Sequence, residues 1–135
     1  MSLDHFFRRY AELSLGPQPE ALAELYAPTF IVGGPEGSRA FANDGQFLEW
    51  LRQVVAYNHA HGMRTLTVVS ISGTELSPLH SLATVRWGAR FEKTGDRMIE
   101  FAISYLLEKS AGGWRILSYI SRTDQTAEMA KEGLL

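Results

Sequence analysis

An α+β domain, with helices laid on one face of an antiparallel sheet, follows from two features of the sequence. Residues 3–61 carry helical periodicity interrupted by one short β-branched run. From Arg64 onward the period changes to that of strands, and runs at Arg64–Glu75, Leu79–Glu92, Met98–Lys109 and Trp114–Arg122 are separated by short turns. Helices first and a meander afterwards segregates the two kinds of element into layers.

Each element has its own signal. Leu3, Phe6, Phe7, Tyr10, Leu13 and Ser14 recur at i, i+3, i+4, i+7, with Arg8, Arg9 and Glu12 opposite, and Gly16-Pro17 ends that helix. Pro19 opens a shorter helix that turns Leu22, Leu25 and Tyr26 inward and stops at Pro28. Thr29 to Val32 reads as a short strand, and Gly33 to Ala42 as a loop long enough to act as a lid. Asn43 with Gln46 forms a capping box for a longer helix whose inner stripe is Phe47, Leu51, Val54, Asn58 and His61, with Gly62 just past its end. The domain proper spans 1–125 and leaves 126–135 as a C-terminal tail; Thr123 to Leu135 reads as a short helix or a frayed end.

Composition narrows the function classes. The chain has 135 residues, 45% hydrophobic and 21% charged, the makeup of an ordinary globular domain with a real core. A net charge of −2 supplies no basic footprint for nucleic acid, and no apolar run approaches the ~20 residues that span a bilayer. The start MSLDHFFRRY carries acidic residues close by and lacks a cleavable apolar segment, so it reads as the first helix and the cytoplasm as the compartment. With no cysteine there is no disulfide, thiolate ligand or cysteine nucleophile.

The order helix, helix, short strand, helix, four strands, together with F-x-x-x-Y-x-x-L from Phe6, L-Y-A at Leu25 and G-W-R-I at Gly113, resembles the nuclear transport factor 2-like superfamily. That resemblance implies a cone of curved antiparallel sheet wrapped around N-terminal helices, the cystatin-like fold. Ketosteroid isomerases and polyketide cyclases share it, as do many small proteins without assigned chemistry, so fold alone carries no activity.

Strand register decides what enters the pocket. Treating Thr94-Gly95 as a two-residue turn sets Lys93 opposite Asp96 and Glu92 opposite Arg97. Ala111-Gly112 likewise sets Lys109 opposite Trp114. Propagated inward, this register places Val85, Trp87, Ala89 and Phe91 on one face with Glu100, Ala102, Ser104, Tyr119 and Ser121. Ile99, Phe101, Ile103 and Tyr105 then form a second apolar face, and a homodimer through that outer sheet face is expected to cover it. A slip of one residue instead gathers Trp87, Phe91, Ile99, Phe101 and Ile103 on one apolar face and sends Glu100 to solvent. The resemblance to ketosteroid isomerases favours the first register.

In those isomerases a carboxylate base works with an oxyanion hole made from a tyrosine and a protonated aspartate. Carried over, the tyrosine falls on Tyr10, the base on Gly34 and the second acid on Ser104. A glycine moves no proton, so that chemistry is absent. Glu100 is the remaining acid–base candidate: beside Trp87 and Phe91 it would be desolvated, with a raised pKa. The structural alternatives are a solvent-facing or arginine-paired Glu100 and a Tyr10 that serves only the core.

The expectation is a pocket for a small apolar molecule lined by Trp50, Trp87, Phe91, Ser104 and Tyr119, with no metal and no cofactor. An alternative is a metal-free isomerase, dehydratase or cyclase in which Glu100 moves a proton and Tyr10 and Tyr119 hold the oxyanion. His59 and His61, two apart on a helix, diverge by roughly 200° and make no ligand pair. His5 and His80 stand alone in sequence. Arg39 and Asp44 are loop charges, and Gly33-Gly34 runs into a proline rather than a helix, so it forms no phosphate cradle.

Overall fold

The computed structural model describes residues 2–122, so the expected C-terminal helix lies outside the described residues. Helix α1 (Leu3–Leu15) begins at Ser2, whose hydroxyl accepts from His5 N–H at 3.1 Å, and ends at Gly16. Its apolar stripe buries Phe6, Phe7, Tyr10 and Ala11 as the periodicity predicts. Helix α2 (Pro19–Ala23) is shorter than expected. Tyr26 opens strand β1 (Tyr26–Gly34) rather than closing the helix, because Leu25 C=O accepts from Ile116 N–H at 2.8 Å and β1 runs parallel to β6 (Gly113–Ser121). Pro28 falls where the β1–β6 register shifts, a place where a strand can do without its N–H.

The segment read as a lid is a hairpin. Gly34 pairs with Gly37, and β2 (Gly37–Ala42) follows as an edge strand, with Gly37 at φ +123°. Its small residues carry no apolar period, and Phe41 stacked on Phe30 is its main anchor. Helix α3 (Gly45–Ala60) is capped one residue later than expected: Asp44 Oδ1 accepts from Gln46 and Phe47 N–H at 3.0 and 3.1 Å. Asn43 instead donates its amide to Ala23 and Tyr26 C=O, at 2.8 and 3.1 Å, and so clasps the α2–β1 junction. Gly62, at φ +78°, follows the helix in the place predicted.

The strands β3 (Met63–Glu75), β4 (His80–Phe91), β5 (Ile99–Ser110) and β6 complete a six-stranded sheet in the order β2-β1-β6-β5-β4-β3. The β4–β5 register is the slipped one: Ala89 pairs with Ile99, Trp87 with Phe101 and Val85 with Ile103. No two-residue turn forms at Thr94-Gly95. A single 3-10 turn over Glu92–Thr94 lengthens the connection, closed by Thr94 Oγ1 donating to Phe91 C=O and by Gly95 at φ +63°.

Ala111-Gly112 is a turn as expected, with Lys109 opposite Trp114. Beyond it a bulge between Leu106 and Leu107 shifts the ladder, so Tyr105, not Ser104, meets Tyr119. The two slips cancel beyond the bulge, from Ser118 onward, so β5 and the start of β6, where Ile116 pairs with Leu107, are turned over. Ile103, Tyr105 and Leu107 are therefore buried with Trp87, and Glu100, Ala102 and Ser104 face outward.

The helices pack on that inner face. Phe7, wholly buried, sits 4.8 Å from the Tyr105 ring and 6.1 Å from Trp87. Phe47 of α3 meets Tyr26 and Phe30 at 5.1 and 4.6 Å. Burying such rings contributes about 1.5–3 kcal/mol each, and the tilted and edge-on contacts add to it. No helix among the described residues is long and apolar enough to cross a membrane.

Candidate functional site

Between α1, α3 and the inner face of the sheet lies a cavity of about 460 Å³. From α3 the stripe Leu51, Val54, Val55 and Asn58 forms one wall, and Trp87, Ala89 and Phe91 of β4 form the opposite one. Trp50 also borders the cavity, stacked on Phe47, but leaves 48% of its surface to solvent, so it is a rim residue. Of the expected pocket residues, Trp50, Trp87, Phe91 and Tyr119 border the cavity, and Tyr10 joins them.

Three buried phenols gather at one end. Tyr10 and Tyr26 have their hydroxyls 2.7 Å apart, and Trp87 Nε1–H donates to the Tyr105 hydroxyl at 3.1 Å. Burial raises the pKa of Tyr10, and hydrogen bonds from Tyr26 and Tyr105 act against that rise. Burial holds Tyr26 and Tyr105 well above the ordinary phenol value, since each would also face its neighbours' charge. All three are neutral at physiological pH. Either hydroxyl of the Tyr10–Tyr26 pair can donate to the other, and where Tyr26 donates, the Tyr10 O–H is left to offer into the cavity. A neutral phenol can donate to an oxygen acceptor.

Glu100 does not provide the missing base. It contributes to the border of the cavity, flanked by Ile99 and Phe101, but its carboxylate lies on the outer face, 41% exposed, and accepts from Arg86 Nε at 2.7 Å. The cause is the one-residue slip, which puts Glu100 opposite Gly88 rather than Ala89. For the same reason Ser104 is no pocket residue: its Oγ lies 3.0 Å from Thr84 Oγ1 on the outer face. Tyr26 and Tyr105 are what sequence reasoning missed. The signal for Tyr105 was present in the apolar alternation Phe101, Ile103, Tyr105, Leu107, which only the slipped register turns inward.

The other polar candidates hold the fold. His59 Nε2 is 3.1 Å from Leu15 C=O, tying α3 to the end of α1. His61 Nδ1 donates to Tyr57 C=O at 2.8 Å, a donor at a helix C-terminus. Arg39 is exposed on the edge strand β2. Among the described residues no three His, Asp or Glu side chains cluster to hold a metal.

His80 does not stand alone: it lies between Ser77 Oγ at 2.8 Å and Glu108 Oε2 at 3.2 Å. This Ser–His–Glu chain clamps the turn before β4, where Ser77 Oγ also accepts from Leu79 and His80 N–H, at 3.2 and 3.0 Å.

A family model described as "NTF2-like protein (DUF6841)" matches residues 2–124. The chain belongs to this NTF2-like family. Among solved structures, this NTF2-like chain resembles an NTF2-like protein with a cystatin-like fold from Novosphingobium aromaticivorans, at TM-score 0.71 and 17% identity, over 98% of this chain and 86% of that one. It also resembles a putative scytalone dehydratase from the same organism, at TM-score 0.67 and 17% identity, over 90% and 81% of the two chains. The beta subunit of a benzoate 1,2-dioxygenase from Burkholderia mallei matches at TM-score 0.66 and 10% identity, over 91% and 89%. At these identities the likeness is one of fold. No curated protein matches the chain.

Proposed function

We propose that this NTF2-like chain binds a small, mostly apolar molecule and fixes it by one oxygen acceptor at Tyr10. The observation that carries the reading is the buried cluster of Tyr10, Tyr26, Tyr105 and Trp87 at one end of a mostly apolar cavity of ligand size. Donors held in place by neighbouring donors lose little freedom when a ligand arrives. The alternative of an isomerase, dehydratase or cyclase using Glu100 as its acid–base group loses its geometric basis, because Arg86 holds that carboxylate on the outer face. Binding without turnover is the better-supported function.

A homodimer remains a proposal on a narrower footing. The outer face exposes Ile31, Leu82 and Ile120 around Leu106, but also carries Arg86, Glu100 and Ser104. Sedimentation at micromolar concentration tests it: a dimer supports a second copy on this face, and a monomer removes it.

The binding reading is tested with α-tetralone, a compact bicyclic ketone, by calorimetry. Saturable one-site binding that weakens about tenfold in Tyr10→Phe is expected, the value of one net hydrogen bond. Absence of binding, or an unchanged affinity in Tyr10→Phe, overturns it.

A further inference from the structure

Asn58 is the side-chain amide on the border of the cavity, and it interrupts an apolar stripe. Along α3, Phe47, Leu51 and Val54 precede it at helical spacing and all turn inward, so a leucine at position 58 would complete the seam. Instead the chain half-buries a carboxamide there, and among the described residues that carboxamide makes no hydrogen bond. Water still reaches that carboxamide, and a ligand seated in the cavity would replace the water as its hydrogen-bond partner.

Its position is distinct from that of the phenols. Tyr26 meets α3 at Phe47, eleven residues earlier, which is about 16 Å along the helix. The neighbouring His59 is bonded to Leu15 at the end of α1, five residues past Tyr10, so Asn58 stands on the order of 7 Å further along α1 than the Tyr10 hydroxyl's own turn. Val54 and Leu51 lie on the wall between.

From this we infer that Asn58 is a second recognition point, and that the ligand is a compact ring molecule with polar groups at both ends. An acceptor oxygen meets Tyr10 and a hydroxyl or carbonyl meets the Asn58 carboxamide, which both donates and accepts. Apolar ring surface fills the space between them. A hydroxylated aromatic or alicyclic ketone has this chemistry. The inference rests on the binding reading above and adds the far-end group of the ligand and the residue that selects it.

The test compares α-tetralone with para-hydroxy-α-tetralone, which carries a hydroxyl across the ring from the ketone-bearing carbon. Calorimetry near neutral pH on the wild-type chain should show the hydroxylated probe binding about tenfold tighter, the worth of one added hydrogen bond. Asn58→Leu and Asn58→Ala, which differ in bulk, should each bring that ratio close to one, the ratio being read between the two probes on the same variant. Tyr10→Phe should weaken both probes by a similar factor and leave the ratio intact. A wild-type chain that does not distinguish the probes, or a preference that survives both Asn58 variants, overturns the role of Asn58 while leaving the binding reading standing. Failure of both probes to bind the wild type overturns the two together.

Discussion

Arg86 Nε and Glu100 Oε1 lie 2.7 Å apart on the outer face of the sheet, pointing away from the cavity that Trp87 and Phe101 border from the adjacent positions of the same strands. That relationship is the ground for reading the cavity as a binding site. A carboxylate that could have served as a base is placed in solvent and paired with a guanidinium. The side chains left at the inner end of the pocket are phenols and an indole, which donate.

Substituting Glu100→Gln is therefore expected to leave α-tetralone affinity unchanged within about twofold. Because both partners are well exposed, at 41% and 53% of their side chains, stability should fall by no more than about 1 kcal/mol. Denaturant melts and calorimetry on the same variant check both numbers. A large loss of affinity would mean that the carboxylate reaches the ligand after all.

The tyrosine cluster predicts an alkaline limit to stability. The pKa of each of Tyr10, Tyr26 and Tyr105 is raised above the ordinary value of 10.0. Above that pH the unfolded chain loses phenol protons that the native chain keeps, so the native state binds more protons and stability falls as pH rises. The contribution is complete below pH 10.0 and declines above it. Melts at stepwise alkaline pH should show the decline, and Tyr26→Phe with Tyr105→Phe should flatten it. An equally steep decline in the double variant would assign it to other groups.

Phe7 links the helix layer to the sheet through Trp87 and Tyr105 and is wholly buried. Phe7→Ala should cost about 3–5 kcal/mol by chemical denaturation, from lost burial and the void left behind. A loss under about 1 kcal/mol would mean that α1 is not seated on the sheet as described.

Gly33 stands at a close approach and not at a positive φ. A Cβ there would lie 2.7 Å from Ile120 Cδ1, on the outer face where β1 meets β6. Gly33→Ala should destabilise by about 1–3 kcal/mol, the usual range for overpacking, and pairing it with Ile120→Val should recover part of the loss. A neutral Gly33→Ala would show that the Ile120 side chain turns aside freely.

Much of the architecture was legible in the residues. The stripe of α1, the inner face of β4, the seam of α3 including Asn58, and the Ala111-Gly112 turn stand where periodicity and turn chemistry put them. What the sequence concealed were single-residue events. Charge complementarity at Lys93 and Asp96 suggested a tight turn, whereas Thr94 closes a longer one by bonding back to Phe91. The bulge opposite Leu106 leaves no apolar signature either. Because side chains alternate with period two, each slip exchanges the faces of a strand, and the side chains of Glu100 and Ser104 went to the outer face as Tyr105 turned inward. The hairpin strand β2 was hidden for another reason: Gly, Ser and Ala give no alternation to read.

The most direct measurement is the infrared carbonyl stretch of α-tetralone bound to the wild-type chain and to Tyr10→Phe. If Tyr10, supported by Tyr26 and Tyr105, donates into the cavity, the wild-type band lies below its position in an apolar solvent, and Tyr10→Phe returns it towards that position. A band that sits at the same frequency in both proteins would contradict the account, because the ketone would then be held without the Tyr10 hydroxyl.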